Sequence, residues 1–370
     1  MRVKLNPNCF KQTRQNIEIA FEPELNEFER VNNFLIQNSD KISLITRANG
    51  KKITVTLVRK NIPHFLQDWI LEFGEHDESV RQLKEAIRQS EIHFKGREFD
   101  FNVTERPVIY SILNLTPDSF YDGGVNASIS AVLSRIDKEM ALGASIFEVG
   151  GKSSKPHFED ISPQEEWGRV VPFLKEIHKS FPDIVLAIDS NTPEVMKLAL
   201  ENGIQIINDI DGFNSEDKLK LVAKYKPDVV TMFNGRNFNE QVSTLNKNMD
   251  DFFTHSINDL KKSGLSNENI VIDPGVGFSA KNAFDFDFDF IKMKYIQKMD
   301  KFAVPSMVAI SRKSFAKHLF NLNDASQRLI PTLIFETFMT ILGGRILRVH
   351  DVAETQELLT AFDIFKDQIN

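Results

Sequence analysis

DIVLAIDSNTPEVMKLALENGIQIIND, residues 183–209, contains one complete strand–helix–strand cycle. The apolar run before Asp189 reads as a strand. Asn191-Thr192-Pro193-Glu194 follows it, with a capping hydroxyl ahead of a proline at the first helical position and an acid next. The helix stops at Asn202-Gly203, where glycine suits a left-handed cap. A second apolar run then ends at Asn208-Asp209. Two short apolar strands joined by a helix point to a parallel sheet.

The same cycle recurs on both sides. VIYSIL ends at Asn114, ASIFEV carries Glu148, DVVT runs into Met232-Phe233, and NIVI ends at Asp273. PSMVAI runs into Ser311-Arg312-Lys313, and RIL into Arg348-Val349-His350. Eight such segments from about residue 107 onward predict an α/β protein with a closed (β/α)8 TIM barrel. Barrel chemistry sits where the strands end, so these polar endings should converge on one pocket.

The intervening helices have readable faces. The spacing predicts a helix over 127–142, with Ile129, Leu133, Ile136 and Met140 on one face and a stop at Gly143. Phe284–Phe290 alternates with period two, yet its place after the sixth strand favours a helix using Phe286, Phe290 and Met293. Leu329–Leu342 offers Leu329, Leu333, Phe338 and Ile341 to a core or an interface.

Residues 1–90 lack this alternation and are read as a small α+β domain of unknown role preceding the barrel of 91–370. Two strands around Asn49-Gly50 predict a hairpin, and Val80, Leu83, Ala86 and Ile87 predict a helix over 78–91. A second hairpin, 93–101, leads into the first barrel strand.

Charge and composition narrow the class. A net charge of −7 argues against nucleic acid or an anionic membrane as partner. No apolar run approaches the roughly 18 residues of a membrane span, and the first residues lack a signal-peptide core. One cysteine, Cys9, fits a reducing compartment, so a cytoplasmic protein is expected. The 31 phenylalanines against two tryptophans and four tyrosines are read as core filling.

At the strand ends, Asp189, Asn208 and Asp273 offer an acceptor-rich floor suited to a flat heterocycle bearing N–H groups. Lys313, Arg348 and His350, from strands seven and eight, suit an anionic group such as phosphate or diphosphate. Gly150-Gly151-Lys152-Ser153-Ser154-Lys155-Pro156 allows close backbone approach to an anion but lacks Walker spacing. Each residue alone has a plainer role: an aspartate closing a strand often caps a helix, and a lone histidine is more often a cap than a ligand. Their shared position at one end of successive strands argues for a site.

Five of these strings, in order, resemble the motifs of the dihydropteroate synthase family. They are Asn114-Leu115-Thr116-Pro117-Asp118-Ser119-Phe120 with Asp122-Gly123-Gly124, then Ile207-Asn208-Asp209, and Asp273 to Phe278. Ser311 to Phe315 and Arg348 to Val352 complete the set. The resemblance covers roughly residues 93–370. It implies a cytoplasmic transferase of folate biosynthesis and a sulfonamide target. Such an enzyme joins 6-hydroxymethyl-7,8-dihydropterin diphosphate to p-aminobenzoate and releases diphosphate.

By position, the resemblance implies that Asp189, Asn208, Met232, Asp273 and Lys313 hold the pterin. Asn114, Arg348 and His350 would hold the diphosphate, with Mg2+ at Asn114. Pro117, Ser153, Ser154, Lys155, Pro156, Phe278 and Ser311 would form the p-aminobenzoate site. Asp273, Lys313, Arg348 and His350 would carry catalysis, in a homodimer acting on small molecules. The second loop departs from the family's usual Asp-x-Gly-Gly-Glu-Ser-Thr-Arg-Pro at Glu148, Lys152, Ser154 and Lys155. Ser190, Phe233 and Ala280 are further departures. A pterin-binding barrel with another amine, a methyltransferase or a non-catalytic regulator of the pathway are the competing readings.

Overall fold

The computed structural model describes residues 1–6, 16–48, 52–115, 129–152, 161–235, 241–278 and 286–365. Two compact units result, Met1–Ile92 and His93–Asn370.

The first unit is an antiparallel sheet with helices. Its strands are β1 (Arg2–Leu5), β2 (Asn16–Glu22), β3 (Ile42–Ala48) and β4 (Lys52–Val58), in the order β1-β2-β4-β3. Helices α1 (Phe28–Gln37), α2 (Ile62–Phe73) and α3 (Glu78–Gln89) accompany them. Ile17, Ile19 and Phe21 alternate along β2, as do Ile53, Val55 and Leu57 along β4; all six are buried. They meet Val31, Phe65, Trp69 and Leu83 of the helices in one core. The hairpin and the last helix were legible as such; the turn at Asn49-Gly50 lies outside the described residues. The period-two pattern of β2 and the helices α1 and α2 went unread.

The second unit opens with a hairpin, β5 (His93–Lys95) and β6 (Asp100–Asn102). Its Phe94 and Phe99 pack with Tyr110, Ile146, Val185, Ile206 and Ile346, near the starts of the barrel strands. This plugs the N-terminal mouth and leaves the other end for chemistry.

The barrel strands and the helices between them follow in order. They are β7 (Val108–Asn114), α4 (Ile129–Ala141), β8 (Ala144–Gly150), α5 (Pro163–Ser180), β9 (Leu186–Asp189) and α6 (Pro193–Glu201). Next come β10 (Ile206–Asp209), α7 (Glu216–Tyr225), β11 (Asp228–Met232), α8 (Leu245–Lys262), β12 (Ile270–Asp273) and α9 (Phe286–Met299). The last are β13 (Met307–Val308), α10 (Phe315–Phe320), α11 (Leu329–Ile341), β14 (Ile346–Val349) and α12 (Val352–Phe365).

All eight strands are parallel, in the order β12-β11-β10-β9-β8-β7-β14-β13. A bridge between Ile272 and Ser306 joins the two ends, so the ring is the expected eight-stranded barrel. No described helix is long and apolar enough to cross a membrane.

Several local expectations need correction. The seventh strand pairs only over Met307 and Val308, although the apolar run continues through Ala309 and Ile310. In α4 the buried face is Val132, Ile136 and Glu139, while Ile129 and Met140 stand exposed. Glu139 is held inside because it accepts from Arg135 Nε at 2.7 Å and from the Ser111 hydroxyl. The Phe-Asp alternation does start a helix, but Phe290 is exposed, and Asp289, Lys292, Met293 and Ile296 face inward. Thr192 heads α6 without capping it, because its hydroxyl donates to Glu166 at 3.1 Å.

Candidate active site

Glu148 sits at the centre of the strand ends. It is 1 % exposed, projects from β8, and accepts from three directions. The Tyr110 hydroxyl donates to Oε2 at 2.7 Å, and Asn208 Nδ2 donates to the same oxygen at 2.8 Å. Arg348 Nε donates to Oε1 at 2.9 Å, and its Nη2 reaches the same oxygen. A carboxylate only accepts, so its partners turn their donors toward it. The Asn208 amide is thereby oriented, leaving its oxygen as an acceptor for something else. Sequence reading placed Glu148 at a strand end without giving it a role; its buried position among three donors was the missing signal.

Arg348 also spans to Asp189, with Nη2 to Oδ2 at 3.0 Å. Two carboxylates thus share one guanidinium. Burial and the adjoining Glu148 charge raise the Asp189 carboxyl well above its ordinary range, although Arg348 opposes this. Burial works against the Arg348 charge as well, but Glu148 and Asp189 more than compensate and raise its affinity for the proton.

Asp273 ends β12 and is almost wholly buried. Its Oδ1 accepts from the Gly275 N–H at 2.7 Å. Burial raises its pKa, and Lys313 opposes the rise. Burial pushes the Lys313 ammonium down to about 8, with Arg348 adding to the effect and Asp273 resisting it. Lys313 Nζ donates to the Val276 carbonyl at 2.6 Å and lies 4.9 Å from the centre of the Phe278 ring. Met232 is buried on β11 and pairs in register with Asp273.

Ser311 and His350 meet across the seventh and eighth strand ends. Ser311 Oγ accepts from the His350 N–H at 3.2 Å and lies 3.1 Å from its Nδ1. This contact orients the ring through Nδ1. Burial, reinforced by Arg348, pushes the His350 pKa down to about 4. At neutral pH this histidine is a neutral imidazole rather than a third cation.

Two neighbouring residues keep the plainer role. Asp209 accepts from the N–H groups of Asp211 and Phe213 and from Lys218 Nζ, so it builds the turn after β10. Arg312 adopts φ +55. It is pinned by two hydrogen bonds to Asp351 (2.8 and 2.6 Å) and by the carbonyls of Ala325 and Ser326. That strained turn directs Ser311 and Lys313, on either side, into their own contacts.

Asn114 is half-buried at the end of β7 opposite Gly150. Lys152 donates to Asn191 Oδ1 at 3.4 Å on the rim. Pro117, Ser153, Ser154, Lys155 and Pro156 lie outside the described residues, as do the Asp122-Gly123-Gly124 segment and Ala280.

Comparison with known proteins identifies the family. The family described as pterin binding enzyme matches residues 110–350. The dihydropteroate synthase of Clostridium beijerinckii is 34% identical over 268 residues, which is 72% of this chain and 96% of the relative. A Clostridium difficile dihydropteroate synthase, solved in the presence of pteroic acid, superposes with TM-score 0.63 at 30% identity. The match covers 70% of this chain and 97% of that one. The Yersinia pestis dihydropteroate synthase, solved with a sulfonamide drug complex, gives TM-score 0.66 at 27% identity over 75% of this chain and all of that one. With a closed parallel barrel, a donor–acceptor floor at its strand ends and relatives of this similarity, the chain belongs to the pterin binding enzymes and, among them, to the dihydropteroate synthase family.

Proposed function

We propose that the strand-end ring of Asp189, Asn208, Met232, Asp273 and Lys313 is the pterin site of a dihydropteroate synthase. The carrying observation is Glu148, which turns Asn208 and Arg348 so that the floor offers a fixed pattern of acceptors and donors. A flat ring with several N–H groups matches that pattern, because buried acceptors need donors.

The reaction breaks the bond between the pterin methylene carbon and a diphosphate oxygen, and the electron pair leaves with diphosphate. The amine lone pair of p-aminobenzoate forms the new C–N bond, and the nitrogen then loses a proton to solvent. Asp273 favours positive charge developing in the ring. Arg348 through its remaining Nη1, with His350 and Asn114, would stabilise the departing anion. Phe278 and Ser311, together with Pro117, Ser153, Ser154, Lys155 and Pro156, would form the amine side. Catalysis on this reading is electrostatics and positioning rather than covalent attack by a side chain.

The described residues contain no cluster of three acidic, histidine or cysteine groups for a resident metal. The single amide oxygen of Asn114 does suit Mg2+ arriving with diphosphate oxygens and water. When bound, the ion would neutralise charge on the leaving diphosphate.

A homodimer is part of the proposal. Ile330, Ile334 and Phe338 form one exposed apolar row on α11, at 69%, 46% and 57% exposure. Sedimentation of the full chain should give twice its 42.3 kDa mass.

The deciding experiment measures diphosphate release from dihydropterin diphosphate and Mg2+ by the full chain, with and without p-aminobenzoate. Release that depends on the amine and yields dihydropteroate is expected. Pterin binding without release would leave a pterin-binding barrel that serves another amine or no reaction.

A further inference from the structure

Helix α9 carries two charged side chains for which the reaction has no use, and both are buried. Asp289 is 4% exposed and Lys292 is 0%. They stand one turn apart on the face that also carries Met293 and Ile296. An apolar side chain is the default at such a position, since a buried ammonium is costly unless fully hydrogen-bonded.

Both side chains reach the turn that follows β12. Asp289 Oδ1 accepts from the Gly277 N–H at 2.6 Å. Lys292 Nζ donates to the Gly275 carbonyl at 3.3 Å and to the Phe278 carbonyl. From the pocket side, Asp273 accepts from the Gly275 N–H and Lys313 donates to the Val276 carbonyl. The Phe278 N–H closes the turn on the Gly275 carbonyl at 3.1 Å.

The turn is thus held from two sides: Asp273 and Lys313 face the pocket, whereas Asp289 and Lys292 back it. It needs such holding. Gly275 and Gly277 take φ +71 and +83, which glycine tolerates but does not prefer over its alternatives. What the turn presents is the Phe278 ring, set against the Lys313 ammonium.

We infer that Asp289 and Lys292 are positioning residues for the arylamine, fixing the Gly275–Phe278 turn from behind so that Phe278 forms one wall of the amine site. The inference rests on the synthase reading and on Phe278 lining the amine side. It predicts an unequal effect on the two substrates. Asp273 and Lys313 touch this turn, but Asp189, Asn208 and Arg348 are anchored through Glu148. The pterin thus keeps part of its floor while the amine loses the wall that Phe278 forms.

The test compares the full-length wild type with Lys292→Met, Asp289→Ala and Asp289→Asn. Melting temperature, kcat, and KM for each substrate are read for all four. Lys292→Met and Asp289→Ala should raise KM for p-aminobenzoate about tenfold, the order expected for losing hydrogen bonds to a charged group. KM for the pterin diphosphate should rise by clearly less, about threefold at most. Asp289→Asn retains an acceptor for Gly277 and should restore the amine KM. Equal changes in both KM values, or a lowered melting temperature with an unchanged amine KM, would overturn the inference. If Lys292→Met fails to fold, the Asp289→Ala and Asp289→Asn pair decides alone. A wild type that releases no diphosphate removes the synthase reading itself, and the inference with it.

Discussion

Lys313 is the residue whose environment makes the sharpest demand on function. Desolvation pushes its ammonium down to about 8, and it donates to the turn that carries Phe278. If the cation is needed, kcat/KM for the pterin diphosphate should fall as pH rises through about 8. In Lys313→Arg the charge persists to far higher pH, so the alkaline limb should leave the accessible range. A pH–rate profile of both proteins checks this. Glu148 makes a second demand. Glu148→Gln sets an amide against donors and leaves Arg348 with Asp189 alone. Breaking a buried ion pair of this kind costs about 3 kcal/mol. Denaturant unfolding should show that loss, and pterin titration a weakened affinity. The charged and amide residues at the strand ends were legible because strand period and motif order located them. Glu148 was not legible as their organiser. Its function depends on three donors from three strands, none adjacent to it in sequence.

At the scale of elements, the alternation of apolar runs and helices made the barrel legible, and the helix ends were read nearly as they stand. Helix faces were read less well. Ile129, Met140 and Phe290 were assigned inward by hydrophobicity yet stand exposed, whereas Glu139, Asp289 and Lys292 turn inward beside the apolar residues, each with a hydrogen-bonding partner waiting. Apolar periodicity sees only the ordinary solution to burial, so polar groups paired across elements escape it. The turn after β12 shows how tightly such pairing limits the chain. A Cβ on Gly275 would stand 1.9 Å from the Phe233 carbonyl oxygen, at a positive φ as well. Gly275→Ala should therefore cost at least about 1–3 kcal/mol in strain and displace Lys313 from its site. A fall in melting temperature together with lost turnover would bear this out.

Each of the two units has its own hydrophobic core, and the chain has two tryptophans. Trp69 lies in the core of the first unit, and Trp167 packs against that of the barrel. Trp69→Phe and Trp167→Phe variants would each leave one reporter. Fluorescence-detected unfolding should then give two separate curves. Saturating pterin at about a hundredfold over Kd should stabilise only the curve reported by Trp167, by about 2.7 kcal/mol. The layout of the first unit was not legible in the sequence, because its strands pair across gaps that carry no local signal. The barrel ring, finally, is uneven. Seven of its strands are four residues long or more, whereas β13 contributes only Met307 and Val308, and the segment meets β12 through a single bridge at Ser306. A hoop gives way first at its thinnest stave, and here that stave leads directly to Ser311 and Lys313. Amide exchange should therefore run fastest along this seam, just ahead of the turn that carries Ser311 and Lys313.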